Sequence, residues 1–505
     1  MIDHSSCLGK KIKTKGCLVI SVHDPGPGGV LGLAGFRREF YRCLTARADA
    51  LFEVTDALLC GDTPVRSLVE LSLAGEHRRG HGSLYAALNR GRIELEALKN
   101  AVAAASVPRA ADGRIVLAVD VTCWLRPEAH TSAQRVLCHT YGRGKDTHIM
   151  VPGWPYSLVT ALETGRSSWT APLDIRRLAP GADAATVTAT QLREVVERLI
   201  RAGHWQPGDP DMWIVADAGY DGPRLAFLLA DLPVRLLVRM RSDRVLRRPA
   251  PPWVPRQHGG RKPRHGGEFI FGDPASWGEP DTATTTDTRL YGTATARGWN
   301  RLHPRLTRRT AWLEHAGTLP IIEGTVILLT VERLPSGATA KPVWLWWSQP
   351  EAAITEVDLC WQAFLRRFDI EHTFRMLKQT LGWTSPKLRD PHTADRWTWL
   401  VLAAYTQLRL ARGAASDLRR PWERPAEPGR LTPTRVRRAF RNLRDKAGCP
   451  AAAPKPSRPG PGRPAGHRNT HPAKHHDVYI VTSANPANDT RKPKKSTNPR
   501  PRRTG

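Results

Sequence analysis

The sequence lacks several features, and each absence excludes a class of protein. No apolar run reaches the ~18–20 residues that a membrane-spanning helix needs, so no membrane partner is expected. The apolar stretch at residues 17–22 is too short for the core of a secretory signal. The eight cysteines include no Cys-x-x-Cys pair, and their scatter fits neither a disulfide framework nor a zinc site. We therefore expect a cytoplasmic protein with free thiols.

Acidic residues are scarce compared with basic ones. The 505 residues include 76 Lys and Arg but 47 Asp and Glu, which gives a formal net charge of +29. Residues 401–505 alone hold 24 Lys and Arg against 6 Asp and Glu, so +18 of that charge lies in the last fifth of the chain. Such an excess predicts a polyanionic partner, DNA or RNA, although a solvated basic tail fits the composition as well.

The N-terminal part of the chain has a helical pattern. Residues 1–34 look irregular, whereas in residues 35–110 apolar side chains recur at helical spacing, as at Phe40, Leu44 and Leu51. No clear strand signal occurs in this range. We predict an irregular N-terminus followed by an all-α domain.

Strand and helix patterns alternate from residue 111 to about residue 412. Short β-branched runs at 114–122 and 212–216 indicate buried strands, and residues 185–203 have the pattern of a long amphipathic helix. This alternation predicts an α/β fold. A stretch rich in Thr, Trp and turn residues at about 247–345 interrupts the rhythm, and we predict that it forms an inserted β-rich subdomain.

The C-terminal part is rich in Pro, Arg and Ala. Within a basic segment at 413–448, residues 432–448 are predicted to form one short helix with Thr432 or Thr434 as its cap. Pro, Gly and basic residues prevail at 449–505, and this composition predicts a disordered basic tail.

Two aspartates lie in sequences that otherwise indicate buried strands. Asp120 stands inside the run LAVDVT, and Asp217 follows an apolar run in WIVADAGYD. A carboxylate on a buried strand is unfavourable without a proton, a partner or a metal ion, and two such groups side by side require a cation. Hard oxygen ligands favour Mg²⁺ or Mn²⁺. An acidic residue at a strand end is also a common turn or helix cap, and Asp221 fits that description.

A third acidic residue lies on a predicted helix with an aromatic ring and two cations. The helix contains Phe364, Arg367, Glu371 and Lys378. At about 100° per residue, these four positions fall within an arc of roughly 60° on one helix face. The carboxylate can hold a metal ion while the cations hold phosphates on either side. A solvated, salt-bridged helix face would produce the same spacing, so the spacing alone leaves both interpretations open.

The spacing F-x2-R-x3-E-x6-K resembles the Tyr-Arg-Glu-Lys signature of the DDE transposases of bacterial insertion sequences. Those enzymes have a ribonuclease-H-like core. The first Asp lies on the first core strand, the second on a later strand, and the Glu on a helix after a β-rich insertion. This sequence has the same order over roughly residues 35–412. Phe364 stands where the family has Tyr, so the ring is retained and the hydroxyl is lost.

The resemblance implies a metal-dependent enzyme that cuts and rejoins DNA. It implies that Asp120, Asp217 and Glu371 are the catalytic residues and bind two Mg²⁺ or Mn²⁺ ions. It also implies that Arg367 and Lys378 contact DNA phosphates near the cleavage site, and that the ring of Phe364 stacks there.

The resemblance has further implications for the domains. The catalytic domain at 111–412 is expected to be a ribonuclease-H-like mixed sheet flanked by helices. Residues 35–110 are expected to bind the transposon ends, as N-terminal domains of relatives often do, or to serve as a packing or dimer element. Cutting two ends calls for a homodimer on DNA, and a bacterial enzyme of this kind would be cytoplasmic and associated with the nucleoid.

Local composition suggests two more DNA contacts. Trp299 lies between Arg297 and Arg301, which suits stacking on an extruded base, although a buried core position is the more common role for one of the chain's 17 Trp residues. Arg463 lies in a Pro-Gly-Arg-Pro tetrapeptide that resembles the core of a minor-groove AT-hook.

Two other functions fit the same residues. One is a nuclease with the same core that cuts DNA without joining ends. The other is an inactive, transposase-derived protein that only binds DNA.

Overall fold

The computed structural model describes residues 32–141, 148–165, 167–254, 262–307, 312, 315–427, 429–456, 466 and 472–479. In its N-terminal part, helices pack around a small two-stranded sheet. The elements are α1 (Leu33–Arg42), β1 (Leu44–Ala46), α2 (Ala48–Cys60), α3 (Leu68–Leu73), α4 (His81–Arg90), β2 (Arg92–Ile93) and α5 (Leu95–Ala103). The all-α prediction is wrong in one detail. The chain turns at Arg47, whose φ of 57° is left-handed, so Leu44 pairs with Ile93 instead of continuing a helix.

The central sheet is mixed. Its first elements are β3 (Val116–Leu125), β4 (Val136–Tyr141), β5 (His148–Leu162), β6 (Thr170–Arg177), α6 (Ala184–Arg201), β7 (Met212–Ala216), α7 (Gly222–Leu228) and β8 (Val234–Met240). β5 pairs antiparallel with β3, β4 and β6, whereas β3, β7 and β8 run parallel to one another. The predicted α/β fold is confirmed, and its sheet is consistent with a ribonuclease-H-like core.

The predicted β-rich insertion at 247–345 is present, but it does not form a sheet of its own. Its strands are β9 (Val245–Arg247), β10 (Glu268–Ile270), β11 (Thr282–Thr288), β12 (Gly292–Leu302), β13 (Gly324–Val331) and β14 (Val343–Trp347). β9 and β10 form a separate pair, whereas β14 pairs with β8, and β13, β12 and β11 follow outward. These four strands extend the central sheet because β14 completes the backbone hydrogen bonds along β8.

The C-terminal helices close the core over this sheet. They are α8 (Ile354–Arg366), α9 (Asp369–Arg375) with a π-helical turn at Met376–Thr380, α10 (Pro391–Ala411) and α11 (Pro433–Ala447). α10 is buried along most of its length and packs on α2, α11 and β6. One hydrophobic cluster extends from Phe36 through the sheet to Ala451. The N-terminal helices therefore share their core with the central sheet.

The two expectations for the C-terminal part had different outcomes. The predicted basic helix is confirmed, since α11 begins directly after Thr432. Of the tail that is predicted to be disordered, residues 449–456, 466 and 472–479 lie within the described ranges. The backbone N of Tyr479 donates to the carbonyl of Arg135 at 2.9 Å, and Leu137 N donates to the carbonyl of Tyr479 at 3.1 Å. Exposed backbone groups at the outer strand β4 thus hold a piece of the tail.

Candidate active site

The parallel strands β3 and β7 place Asp120 and Asp217 side by side. Val119 is in register with Ala216, and each aspartate is the next residue along its strand. Both strands are buried up to this point, so the chain delivers two carboxylates to the same edge of the core. The side chains are 18% and 37% exposed. The structure therefore brings together the first two residues that the sequence singled out.

Asp174, another aspartate on a strand, is an example of a purely structural carboxylate. Asp174 on β6 is fully buried and accepts hydrogen bonds from Gln191 Nε2 at 2.9 Å and Arg198 Nη2 at 2.6 Å. By contrast, Oδ1 of Asp217 is buried and has no hydrogen-bond partner among the described residues. A buried acceptor without a partner is rare unless a ligand or an ion satisfies it. Asp217 thus differs from a core aspartate in this respect.

Arg367 links the two aspartates. Its Nη1 lies 2.8 Å from Oδ2 of Asp120, and its Nη2 lies 4.0 Å from Oδ2 of Asp217. The single continuous helix predicted around this residue is wrong. α8 ends at Arg366, α9 begins at Asp369, and a π-helical turn follows it. Arg367 lies at this break between the two helices, and its guanidinium contacts Asp120. π-Helical turns such as the one after α9 occur frequently at functional sites.

Glu371 on α9 is close enough to feel the charges of Asp120, Asp217, Arg367 and Lys378. Burial raises the pKa of Glu371, and the charge of Asp120 raises it further, while Arg367 and Lys378 oppose the shift. Burial likewise raises the pKa of Asp120, and Asp217 adds to the effect. The three predicted catalytic carboxylates therefore sense one another's charge. This mutual repulsion is what a bound cation would relieve.

The carboxylates do not form a closed metal site as they stand. In the part of the chain that the structure describes, no three His, Cys, Asp or Glu side chains converge closely enough to enclose an ion. The donor chemistry nevertheless fits a divalent cation, because the donors are hard oxygens and Oδ1 of Asp217 accepts no hydrogen bond from the described residues.

Lys378 lies against the strand that carries Asp120. Its Nζ donates to Thr122 Oγ1 at 2.5 Å and to the carbonyl of Cys123 at 3.3 Å. Burial lowers the pKa of this ammonium group, while Glu371 opposes the shift. The predicted cation is therefore held near the carboxylates by residues two and three positions beyond Asp120.

The aromatic predictions have a different outcome. Phe364 packs its half-buried ring against the cluster of β7, β8 and β13 side chains beneath α8. This contact gives the ring a packing role, and its stacking on DNA stays a prediction. The prediction that Trp299 stacks on an extruded base does not fit the structure. Its ring is 1% exposed, and its neighbours are Phe269, Trp277 and Trp344. Trp299 belongs to the core.

The predictions for the basic C-terminal part concern Arg463 and the charge around α11. Arg463 lies outside the described residues. The arginines of α11 are mostly committed to internal partners. These pairs are Arg435 with Asp417, Arg438 with Glu423, Arg441 with Glu76 and Arg444 with Asp56, and Arg437 donates to the carbonyl of Leu58. Much of the charge of this helix therefore stabilises the fold and is not free to bind a polyanion.

Two residues near the carboxylates, Arg239 and Tyr220, were not predicted from the sequence. Nη1 of Arg239 on β8 lies 3.7 Å from Oδ1 of Asp217, beyond hydrogen-bonding distance. The backbone N of Tyr220 closes the turn after Asp217, and burial together with the nearby charge of Asp120 raises the pKa of the Tyr220 hydroxyl. Tyr220 could have been found from its place in DAGYD. Arg239 could not, because only the sheet order brings β8 beside β7.

A known protein family matches the part of the chain that forms most of this core. The chain matches the model of the DDE superfamily endonuclease family over residues 39–305, which is more than half of its length. The protein belongs to this family. The matched range includes Asp120 and Asp217 and ends before Glu371. No curated protein matches the chain.

Family membership defines the general activity. A DDE endonuclease is a nuclease-type enzyme whose substrate is DNA, and members of the family generally depend on a divalent metal ion. None of the helices in the described ranges is long and apolar enough to cross a membrane.

Proposed function

We propose that the protein is a transposase that cleaves the DNA ends of an insertion sequence and transfers them to target DNA. The observation that carries this proposal is the position of Arg367 between Asp120 and Asp217. Besides burial, the charges of both aspartates raise the pKa of Glu371. The order of the acidic residues and the β-rich insertion before α8 resemble those of transposases from bacterial insertion sequences. We further propose that the enzyme acts as a homodimer on DNA and associates with the nucleoid in the cytoplasm.

In this proposal Asp120, Asp217 and Glu371 bind two Mg²⁺ or Mn²⁺ ions. Such ions, when bound, lower the pKa of an attacking hydroxyl group and neutralise charge on the reacting phosphate. The protein's own contribution is positioning, since phosphoryl transfer gains most of its rate from alignment and charge neutralisation. Asp120 and Asp217 stand on rigid neighbouring strands, so their relative position is set by the sheet.

Arg367 and Lys378 are the proposed phosphate contacts. Both cations contact the middle of β3, Arg367 from the break between α8 and α9 at Asp120 and Lys378 from the π-helical turn at Thr122. A DNA phosphate at this position would exchange the carboxylate partner of Arg367 for a phosphate oxygen. A planar guanidinium suits such an exchange because it can bind two oxygens at once.

A strand-transfer assay tests the transposase proposal. The substrate is a DNA fragment containing this gene with its flanking genomic sequence, and the target is a supercoiled plasmid, in Mg²⁺ or Mn²⁺. We expect metal-dependent cleavage at the fragment's ends and covalent joining of those ends to the plasmid. Cleavage without joined products would support the nuclease alternative. DNA binding without any metal-dependent product would support an inactive DNA-binding protein.

The basic tail is proposed to strengthen DNA binding without sequence preference. Residues 481–505 hold seven Lys and Arg and one Asp. Truncation after residue 480 should lower affinity for random DNA and reduce the slope of log affinity against log salt by about 3–6, because each phosphate contact contributes ~0.9. Fluorescence anisotropy at several salt concentrations measures both quantities. This truncation preserves the Tyr479 contacts with β4.

A matched control separates charge from length. A full-length variant with the seven basic residues replaced by Gln should match the truncated protein in affinity and salt slope. An unchanged slope in both variants would contradict the proposed role of the tail.

A further inference from the structure

The outermost strand of the large sheet has a free edge. β11 pairs with β12 on one side, and no described strand pairs with it on the other. At the opposite side of the sheet, Tyr479 bridges to Val136 on β4. Proteins usually protect an open edge with Lys, Pro, a bulge or a covering segment. The β11 sequence, TATTTDT, has neither Lys nor Pro, and its pairing with β12 is regular throughout.

The residues along this edge are complementary to themselves. In an antiparallel pairing of two β11 strands about a two-fold axis at Thr285, Asp281 of one copy faces Arg289 of the other. The same pair recurs on the other side of the axis. Asp287 then faces Ala283, so no like charges oppose each other. The remaining partners are threonines, and cross-strand threonine pairs and opposite charges favour pairing.

The two charged residues are available for such a contact. Asp281 and Arg289 flank β11 and are both exposed. Within the described residues, neither makes an ion pair. Asp281 accepts one hydrogen bond, from the backbone N of Asn300 at 2.7 Å. Asp281 directly precedes the strand and Arg289 begins the turn that follows it, and both are exposed like the odd-numbered strand residues Ala283, Thr285 and Asp287.

The surface beside the edge is partly apolar. α8 packs on β11, and Thr286 Oγ1 donates to Asp358 Oδ1 at 3.0 Å. Leu290, just after β11, is 38% exposed, and Leu359 on α8 is 41% exposed. Both residues line the same ~990 Å³ cavity next to the edge. A second copy paired along β11 would bring its own α8 to this side and would cover apolar surface as well as the free backbone groups.

We propose that two copies of this protein associate through antiparallel pairing of their β11 strands, which joins their sheets across a two-fold axis. A closed two-fold arrangement uses the same surface on both copies, as the self-complementary register requires. The proposed homodimer on DNA would gain a defined interface from this pairing. The association itself concerns the protein without DNA and can be tested whether or not strand transfer is observed.

Charge-swapped variants of the full-length protein test this register. Arg289→Asp makes both members of the facing pair acidic, and Asp281→Arg makes both basic, so each variant should repel itself. We expect the wild-type protein to sediment as a dimer without DNA in ~150 mM salt, and each variant to dissociate with at least a tenfold higher Kd. Mixed in equal amounts, the two variants should form a 1:1 heterodimer, because each Asp then faces an Arg.

Controls separate this interface from general effects of charge or folding. Lys341→Asp makes the same charge change at an exposed position before β14 and should leave the dimer intact. Thr285→Lys keeps the Asp281 hydrogen bond to Asn300 but places two lysines at the axis, so it should also give a monomer with wild-type thermal unfolding. A monomeric wild-type protein, or variants that remain dimeric or fail to pair when mixed, would overturn the proposal.

Discussion

Glu371→Gln is expected to reduce metal-dependent DNA cleavage by at least about 10³-fold, which corresponds to ~4 kcal/mol of barrier. The substitution preserves the size of the side chain and removes its charge. In addition to burial, four charged residues shift the pKa of Glu371, namely Asp120, Asp217, Arg367 and Lys378. The carboxylate of Glu371 therefore interacts electrostatically with the rest of the site. Cleavage of an end-labelled DNA fragment in Mn²⁺ measures the loss, and anisotropy should show DNA binding within about threefold of the wild type.

The stability of this variant shows whether the loss is chemical. The pKa of Glu371 is higher in the folded protein than the ordinary value of a carboxyl group. At pH values above this raised pKa, the ionised carboxylate therefore lowers the free energy of unfolding. Gln removes that penalty. At pH 7 the melting temperature of Glu371→Gln should therefore equal or exceed that of the wild type. The difference should shrink as the pH falls from the raised pKa of Glu371 towards the ordinary range of a carboxyl group.

A second glutamate provides the matched control. Glu351→Gln makes the same chemical change at an exposed position just before α8 and should retain full activity. Wild-type levels of strand transfer by Glu371→Gln would contradict both the catalytic role of Glu371 and the transposase proposal built on it.

Asp56→Ala is expected to lower the free energy of unfolding by about 3–5 kcal/mol, because it leaves buried cations without their counter-charge. Asp56 and Arg37 are both 0% exposed, with Nη1 of Arg37 at 2.7 Å from Oδ1 of Asp56. Asp56 also accepts from Arg444 Nε at 2.9 Å. This network ties α1 and α2 to α11, and Arg37 further donates to Gln407 on α10 at 2.7 Å. Denaturant titration followed by circular dichroism measures the change.

The same substitution tests how the N-terminal helices relate to the catalytic core. These helices share one hydrophobic cluster with the central sheet, so cleavage activity should be lost over the same denaturant range as the helical signal. Glu39→Ala removes an exposed partner of Arg42 and should change stability by less than ~1 kcal/mol. A loss below 1 kcal/mol for Asp56→Ala would show that the network contributes little.

Ion pairs within the fold also change the interpretation of the chain's positive net charge. Composition suggested a C-terminal part devoted to a polyanionic partner. Arg435, Arg438 and Arg444 instead neutralise acidic side chains within the fold. The basic residues at 481–505 remain candidates for DNA contact, which is why the proposed truncation begins there and leaves α11 intact.

The sequence by itself was sufficient to find the acidic residues of the candidate site. Asp120 and Asp217 stand out because a carboxylate in an apolar strand is locally unusual, and Glu371 stands out by its spacing from Arg367 and Lys378. The α/β alternation and helix α11 were likewise predictable. In each case the information lies in neighbouring residues, since periodicity, capping and burial within one element follow from a short stretch of chain.

Only the tertiary structure decided how distant segments meet. It brings Arg367 to Asp120 across 247 residues, places Arg239 beside Asp217, and buries Trp299 among aromatic rings. It also joins the insertion to the central sheet and leaves β11 as an open edge. The physical reason is that strand pairing and side-chain burial depend on which surfaces are left uncovered once all elements have formed, and no local pattern carries that information.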